Sequence, residues 1–250
     1  MECRPVSVSR DERTERYFET LTPTYSPRRY RPVLKFLRQD ARKSSSLLDV
    51  GCGSGNVLAM MRKGTRVDEL AGLDVSARYL AQCESNVPGC QTYEGSIVDA
   101  SLANEIGRQY RYVLVGAVLH HLVGRTRRRS RDLTRQALEN AWALVEPGGA
   151  LILMEPTFRP RWVMWCLFHA KRVVGRLTSR RVPLLGYWNN IGEPVVSYYS
   201  HVEIEVAIAR LGGELVLARK ETRRLPFMWR LAGLTERADS VLILRKSHEC

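Results

Sequence analysis

The stretch Leu47-Leu48-Asp49-Val50-Gly51-Cys52-Gly53-Ser54-Gly55-Asn56 constrains this chain more than any other. An apolar run ends in three glycines at alternate positions, and a helix-period segment follows. Glycine there lets the backbone turn tightly and come against a ligand with no Cβ in the way. In open sheets of alternating strands and helices, this first turn sits at the carboxyl edge, where nucleotides bind. A dinucleotide fingerprint, G-x-G-x-x-G, would need glycine at position 56, which is Asn56. Asp49, an acid just ahead of the glycines, also suits a cationic or amine-bearing ligand better than a pyrophosphate.

Beyond that turn the chain alternates apolar runs with helix-period segments, the pattern of βα units. The predicted strands are Ser46 to Gly51, Leu70 to Asp74, Gln91 to Gly95, Tyr112 to Ala117, Ala150 to Glu155, Glu214 to Arg219 and Ser240 to Arg245. The predicted helices are Arg10 to Glu19, Arg29 to Gln39, Val57 to Lys63, Ala77 to Asn86 capped by Ser76, Leu102 to Arg108, Arg131 to Val145 and Glu203 to Leu211. The first five strands should pair in parallel, because a helix separates each from the next. Leu225 to Asp239 need not form a crossover helix, so the last two strands are expected to pair antiparallel. Residues 1–45 read as an N-terminal helical segment or cap and 46–250 as the main domain, with an insertion at about 157–200 that fits no simple βα connection.

Composition narrows the class. With 44% hydrophobic residues the chain can bury one large core. Met1 to Arg16 is charged and lacks a signal peptide's apolar run, and no stretch reaches the ~18 apolar residues of a membrane span, so a cytoplasmic protein is expected. The six cysteines show no C-x-x-C pair and no metal-ligand spacing with histidine; free thiols and no metal site are expected. The net charge of +13 has two readings, a polyanionic partner or an arginine-rich solvated surface.

Asp49-Val-Gly-Cys-Gly-Ser-Gly resembles motif I of the class I S-adenosylmethionine (SAM)-dependent methyltransferases, and the family's later landmarks follow in order through Glu155. The resemblance implies a Rossmann-like, seven-stranded, mostly parallel sheet with helices on both faces, N-terminal helices and a cap inserted after strand five. It implies SAM as cofactor, with the loop Gly51, Cys52, Gly53 and Gly55 against its methionine part and Asp49 near its amino group. Asp74, at the end of the second strand before Val75, would accept both ribose hydroxyls. After the third strand the family often carries an acid where this chain has Ser96, so the adenine contact falls to Ser96, to backbone around Ile97, or to Asp99, which could instead cap the next helix. Tyr25 matches a tyrosine that touches the methionine end.

The segment Val113 to Leu122 resembles the one that small-molecule methyltransferases carry beside the reacting methyl. His120 and His121 there are candidates for a general base; alternatively one packs against SAM while the other makes a structural hydrogen bond. The segment has neither the Asn/Asp-Pro-Pro-aromatic turn of enzymes acting on base amines nor the Pro-Cys of cytosine-C5 enzymes, which disfavours nucleic acid. The expected substrate is a small molecule, apolar or aromatic, with an oxygen or nitrogen acceptor. An RNA or protein substrate, or a non-catalytic SAM-binding partner protein, are the alternatives. Arg125, Arg127, Arg128, Arg129, Arg131 and Arg135 cluster after His121 and would meet an anionic substrate or carrier protein, or lie solvated. Trp162 to Leu177 has an apolar face flanked by Arg and Lys, fitting a substrate lid, a helix on an anionic membrane, or core packing.

Overall fold

The computed structural model describes residues 27–42, 44–177 and 195–248. Within them lie seven strands: β1 Ser45–Val50, β2 Val67–Asp74, β3 Gln91–Glu94, β4 Tyr110–Gly116, β5 Val145–Arg159, β6 Glu214–Thr222 and β7 Glu236–Arg245. They form one sheet in the order β3-β2-β1-β4-β5-β7-β6. β1 to β5 pair in parallel, while β7 runs antiparallel between β5 and β6. The helices are α1 Arg31–Asp40, α2 Asn56–Gly64, α3 Ala77–Asn86, α4 Leu102–Ile106, α5 Arg127–Ala143, α6 Arg161–Leu177, α7 His201–Ala209 and α8 Phe227–Leu231. The helix expected at Arg10 to Glu19 lies outside the described residues.

Side chains alternate across the strands and build two cores. On one face Leu48, Val50, Val113, Val115, Leu151 and Leu153 pack under α4, α5 and α7; on the other Leu47, Tyr112, Leu114, Ile152 and Met154 pack under α1, α2 and α3. Because both faces are covered, the central strands read as continuous apolar runs. Local signals set the helix starts. Ser76 accepts from Tyr79 N at 3.4 Å and Thr126 from Arg129 N at 3.1 Å, and at α7 Ser200 and Glu203 cap each other's backbone reciprocally.

Two expectations shift. The fifth strand continues four residues past Glu155 to Arg159, into the expected insertion, because β7 begins at Glu236 rather than Ser240 and pairs with it there, Thr157 opposite Ala238 and Arg159 opposite Glu236. Buried Thr157 and Ser240 hydroxyls meet at 2.8 Å. The helix expected from Arg131 starts at Arg127, where Thr126 supplies the cap.

β5 therefore outruns β4, whose last partner pair is Gly116 with Met154. Residues 195–200 occupy the vacated side: Phe158 N donates to Tyr199 O at 2.9 Å and Ser197 N to His120 O at 2.8 Å. A third, smaller cluster (Phe158, Val163, Met164, Tyr198, Trp229 and Leu234) joins α6 and α8 above this edge. Arg127, expected to meet an anionic substrate or carrier protein or to lie solvated, is buried and donates to Met164 O at 3.3 Å and Tyr198 O at 2.9 Å, fastening α5 to both.

Leu48→Ala, deleting a fully buried side chain, is expected to lower unfolding free energy by about 2 to 5 kcal/mol, and Ser200→Ala by about 1 kcal/mol through loss of its cap. Urea denaturation of the two variants checks the order.

Candidate functional site

Four neighbouring parallel strands end at one edge, and the turns after them bring together most of the residues singled out from sequence. Asp49 closes β1, and Asp74 closes β2 beside Val75. Ser96 and Ile97 follow β3, and His120 and His121 follow β4. Tyr25 lies outside the described residues.

The glycine loop is pinned from β2. Gly51 N and Cys52 N both donate to Leu73 O, at 2.7 and 3.1 Å, and Gly53 N donates to the Asp74 carboxylate at 2.9 Å. The other Asp74 oxygen accepts from Ser76 N at 3.0 Å. Burial nudges the Asp74 carboxyl upward, and these backbone donors oppose the shift.

The three glycines serve different ends. A Cβ at Gly51 would strike Val118 at 2.6 Å and one at Gly55 would strike the Cys83 sulfur at 2.7 Å, so those two are needed for packing. Gly53, at φ +52°, has no atom within 4 Å of where its Cβ would lie, so its missing side chain opens onto free space. Cys52 contributes backbone only: its N–H is spent on Leu73, and its sulfur packs where a Cβ on Gly72 would be. Asp49 is buried beside this loop, and loss of water pushes its carboxyl well above the usual range, with Cys83 and Asp74 adding to the shift. A cationic ligand group would offset that cost.

At the third turn Ile97 is buried in the core, its carbonyl accepting from Asn140 Nδ2 at 2.7 Å, while Ser96 is half-buried at the mouth. Asp99 is exposed, and the residue at the start of α4 is Ser101, with no side-chain cap bond.

Sequence reasoning assigned Glu155 no role. It is fully buried, accepting from Leu119 N at 2.6 Å with one oxygen and meeting His120 Nδ1 at 2.8 Å with the other. Burial disfavours both charged forms. It pulls His120 down to about 3, the Arg29 charge helping, and pushes Glu155 up to about 8 against the pull of the Leu119 N–H. Burial thus works against an ion pair at this contact. His121 is held well below the usual imidazole range by burial, then by His120 and Lys171.

Lys171, on the inner side of α6, was likewise missed; it is buried and desolvation lowers it to about 8. Arg172 next to it donates to Gly124 O at 2.9 Å, tying α6 to the turn that carries the histidines. Arg29 pairs with Asp239 at 2.9 Å, and its Nε is buried with no hydrogen-bond partner among the described residues. Of the arginines after His121, Arg131 pairs with Glu203 at 2.7 Å and Arg135 with Asp132 at 3.7 Å, so with Arg127 half the cluster has a structural partner.

With this geometry in view, residues 48–151 match the family model of a methyltransferase domain. This stretch, under half of the chain, is similar to a methyltransferase domain. Over 74 residues it is 35% identical to trans-aconitate 2-methyltransferase of Enterobacter sp. (strain 638) and 31% identical to that of Escherichia coli (strain K12 / DH10B). Each match covers 29% of this chain, and the chain spans only 29% of these curated relatives. The fold is shared with solved methyltransferases of low identity. The N-methyltransferase NodS of Bradyrhizobium japonicum WM9, solved with S-adenosyl-L-homocysteine, has a TM-score of 0.57 at 14% identity, covering 94% of this chain and 98% of its own. A putative methyltransferase from Bacillus halodurans has 0.58 at 13%, covering 86% and 98%. The matched stretch thus spans the glycine loop, Asp74 and the histidine turn, while α6, α7 and Lys171 lie beyond the matched residues.

Glu155→Gln retains an acceptor for Leu119 N–H, whereas Glu155→Leu leaves that donor unpaired and is expected to cost about 1 to 3 kcal/mol more. The sign with pH follows from linkage. Glu155, raised from 4.5 to about 8, stabilises the fold fully below 4.5 and loses that contribution as pH rises through about 8. His120, lowered from 6.5, acts oppositely but is spent above 6.5. Unfolding free energy should therefore fall more steeply in the wild type than in Glu155→Gln between pH 6.5 and about 8; equal slopes would place the titrating proton elsewhere.

Proposed function

We propose that the chain transfers the methyl group of SAM to an oxygen or nitrogen of a small metabolite. The observation that carries this reading is the Asp74 carboxylate bonded to Gly53 N–H, with open space above Gly53 and no glycine at position 56. Asp74 would hold the ribose hydroxyls, the Gly53 backbone would lie against the methionine part, and buried Asp49 would balance the amino group. Bound there, SAM supplies an electrophilic methyl on a sulfonium. Among the described residues no group of three or more His, Cys, Asp or Glu side chains could hold a metal ion.

The remaining work of the protein is positional. Holding an acceptor in line with the methyl group and excluding water lower the barrier without a base when the acceptor is already anionic. For an acceptor that must lose a proton, His120 is the group that can hold it, and only once Glu155 has released its own, which makes the pair competent as pH approaches about 8. The cationic groups beside the histidines, Lys171 and Arg29 with its unsatisfied Nε, favour an acceptor that bears an oxygen or a negative charge. The named substrate of the partial relatives, trans-aconitate, is an anion of that kind.

The test is calorimetric titration with SAM and S-adenosylhomocysteine, with NADH as control. Micromolar binding of the adenosyl ligands alone is expected, and Asp74→Ala should weaken it by about 1 to 3 kcal/mol. Preference for NADH, or no binding by the wild type, would overturn the reading.

A further inference from the structure

Helix α6 has two unlike faces. Val163, Met164, Phe168 and Lys171 point inward, to the third cluster and the histidine turn. At helical spacing on the opposite side, Trp162 (62% exposed), Trp165 (53%) and Val173 (54%) stand in solvent, with Ala170 between them and the Trp165 ring tilted against His169 at 4.3 Å. A helix that only closed a core would carry polar residues there.

The neighbouring helix α8 repeats the pattern. Trp229 and Leu234 are buried in the same cluster as Val163 and Met164, while Phe227 (70% exposed), Met228 and Leu231 (66%) face out. The two elements touch, since a Cβ on Gly233 would lie 3.1 Å from the Trp162 ring. Six large apolar side chains are thus exposed on two adjacent helices built on one support. Isolated exposed apolar residues need no explanation, but a cluster of aromatic and aliphatic ones does.

Charge decides what covers it. Residues 159–177 and 223–235, which contain both helices and their flanks, carry eight Arg and Lys and no Asp or Glu; Arg161 and Arg223 pair with Glu203 and Asp239 and Lys171 is buried, while Arg159, Arg224 and Arg230 are exposed. On α6 itself Arg161 and Arg172 fall along one border of the apolar stripe but are held by Glu203 and Gly124 O, so the exposed Arg159, Arg224 and Arg230 carry the basic charge of this face. A second copy of the chain would bring the same positive charge against itself. An anionic lipid surface offers both complements: headgroup phosphates for the basic border and an acyl boundary for Trp, Phe and Leu, with tryptophan favoured at that depth.

We infer that the α6–α8 face docks the protein on the surface of an anionic bilayer, with the helices lying in the interface plane. None of the helices, among the described residues, is long and apolar enough to cross it. Lys171 and the histidine turn then lie directly beneath the docked helix. The inference does not rest on methyl transfer, since lipid binding is read without substrate or cofactor.

The experiment is flotation of the full chain with large unilamellar vesicles, phosphatidylglycerol mixed with phosphatidylcholine against phosphatidylcholine alone, at 0.1 M salt and at 1 M. The expected results are partitioning to the anionic vesicles at least tenfold above the neutral ones, weakening at 1 M salt, and a further tenfold loss in the triple variant Trp165→Ser, Phe227→Ser, Leu231→Ser. These side chains are exposed, so the variant's thermal midpoint should match the wild type and separates lost docking from lost folding. Equal binding to both vesicle types, or a folded variant that floats like the wild type, would overturn the proposal. So would light scattering that shows a wild-type dimer which the same substitutions dissociate.

Discussion

The fully buried carboxyl group of Glu155 ties the end of β5 to the turn after β4 through Leu119 N–H and His120. The His120 carbonyl in turn receives Ser197 N–H, which brings the returning segment 195–200 over the sheet edge. Removing a polar group from water is tolerable only when every lone pair is used, so this carboxyl orders whatever surrounds it. The same burial pushes its carboxyl toward the neutral form.

Around that knot the site divides by origin. The side proposed to hold the cofactor is ordered by backbone: Leu73 O collects two N–H groups from the glycine loop, and Asp74 bridges Gly53 to Ser76. Such a side needs few specific side chains, which is why it falls inside the matched residues 48–151. The proposed acceptor side draws on side chains that follow or lie on β4, β5 and α6, together with Arg29, and Glu155, Lys171 and Arg29 lie outside the match. The same α6 that presents Lys171 inward presents two tryptophans outward, so one helix would relate substrate access to whatever surface the protein meets.

Much of this was written locally. The glycine spacing, Asp74 at a strand end and the Ser76 cap are short-range patterns whose physical consequences hold within a few residues, so strand and helix positions in the first half follow from them. The antiparallel pairing of the last two strands also followed, since a short connection cannot make a crossover. Tertiary structure alone decided the rest. Glu155 reaches His120 across 35 positions, Arg127 reaches Tyr198 across 71, and β5 lengthens because β7 begins four residues early. Each depends on which element packs beside which and on how much water that packing removes. Desolvation, the cause that sets the charge of Glu155, His120 and Lys171, is a property of the assembled fold and is not carried by any residue's neighbours in sequence.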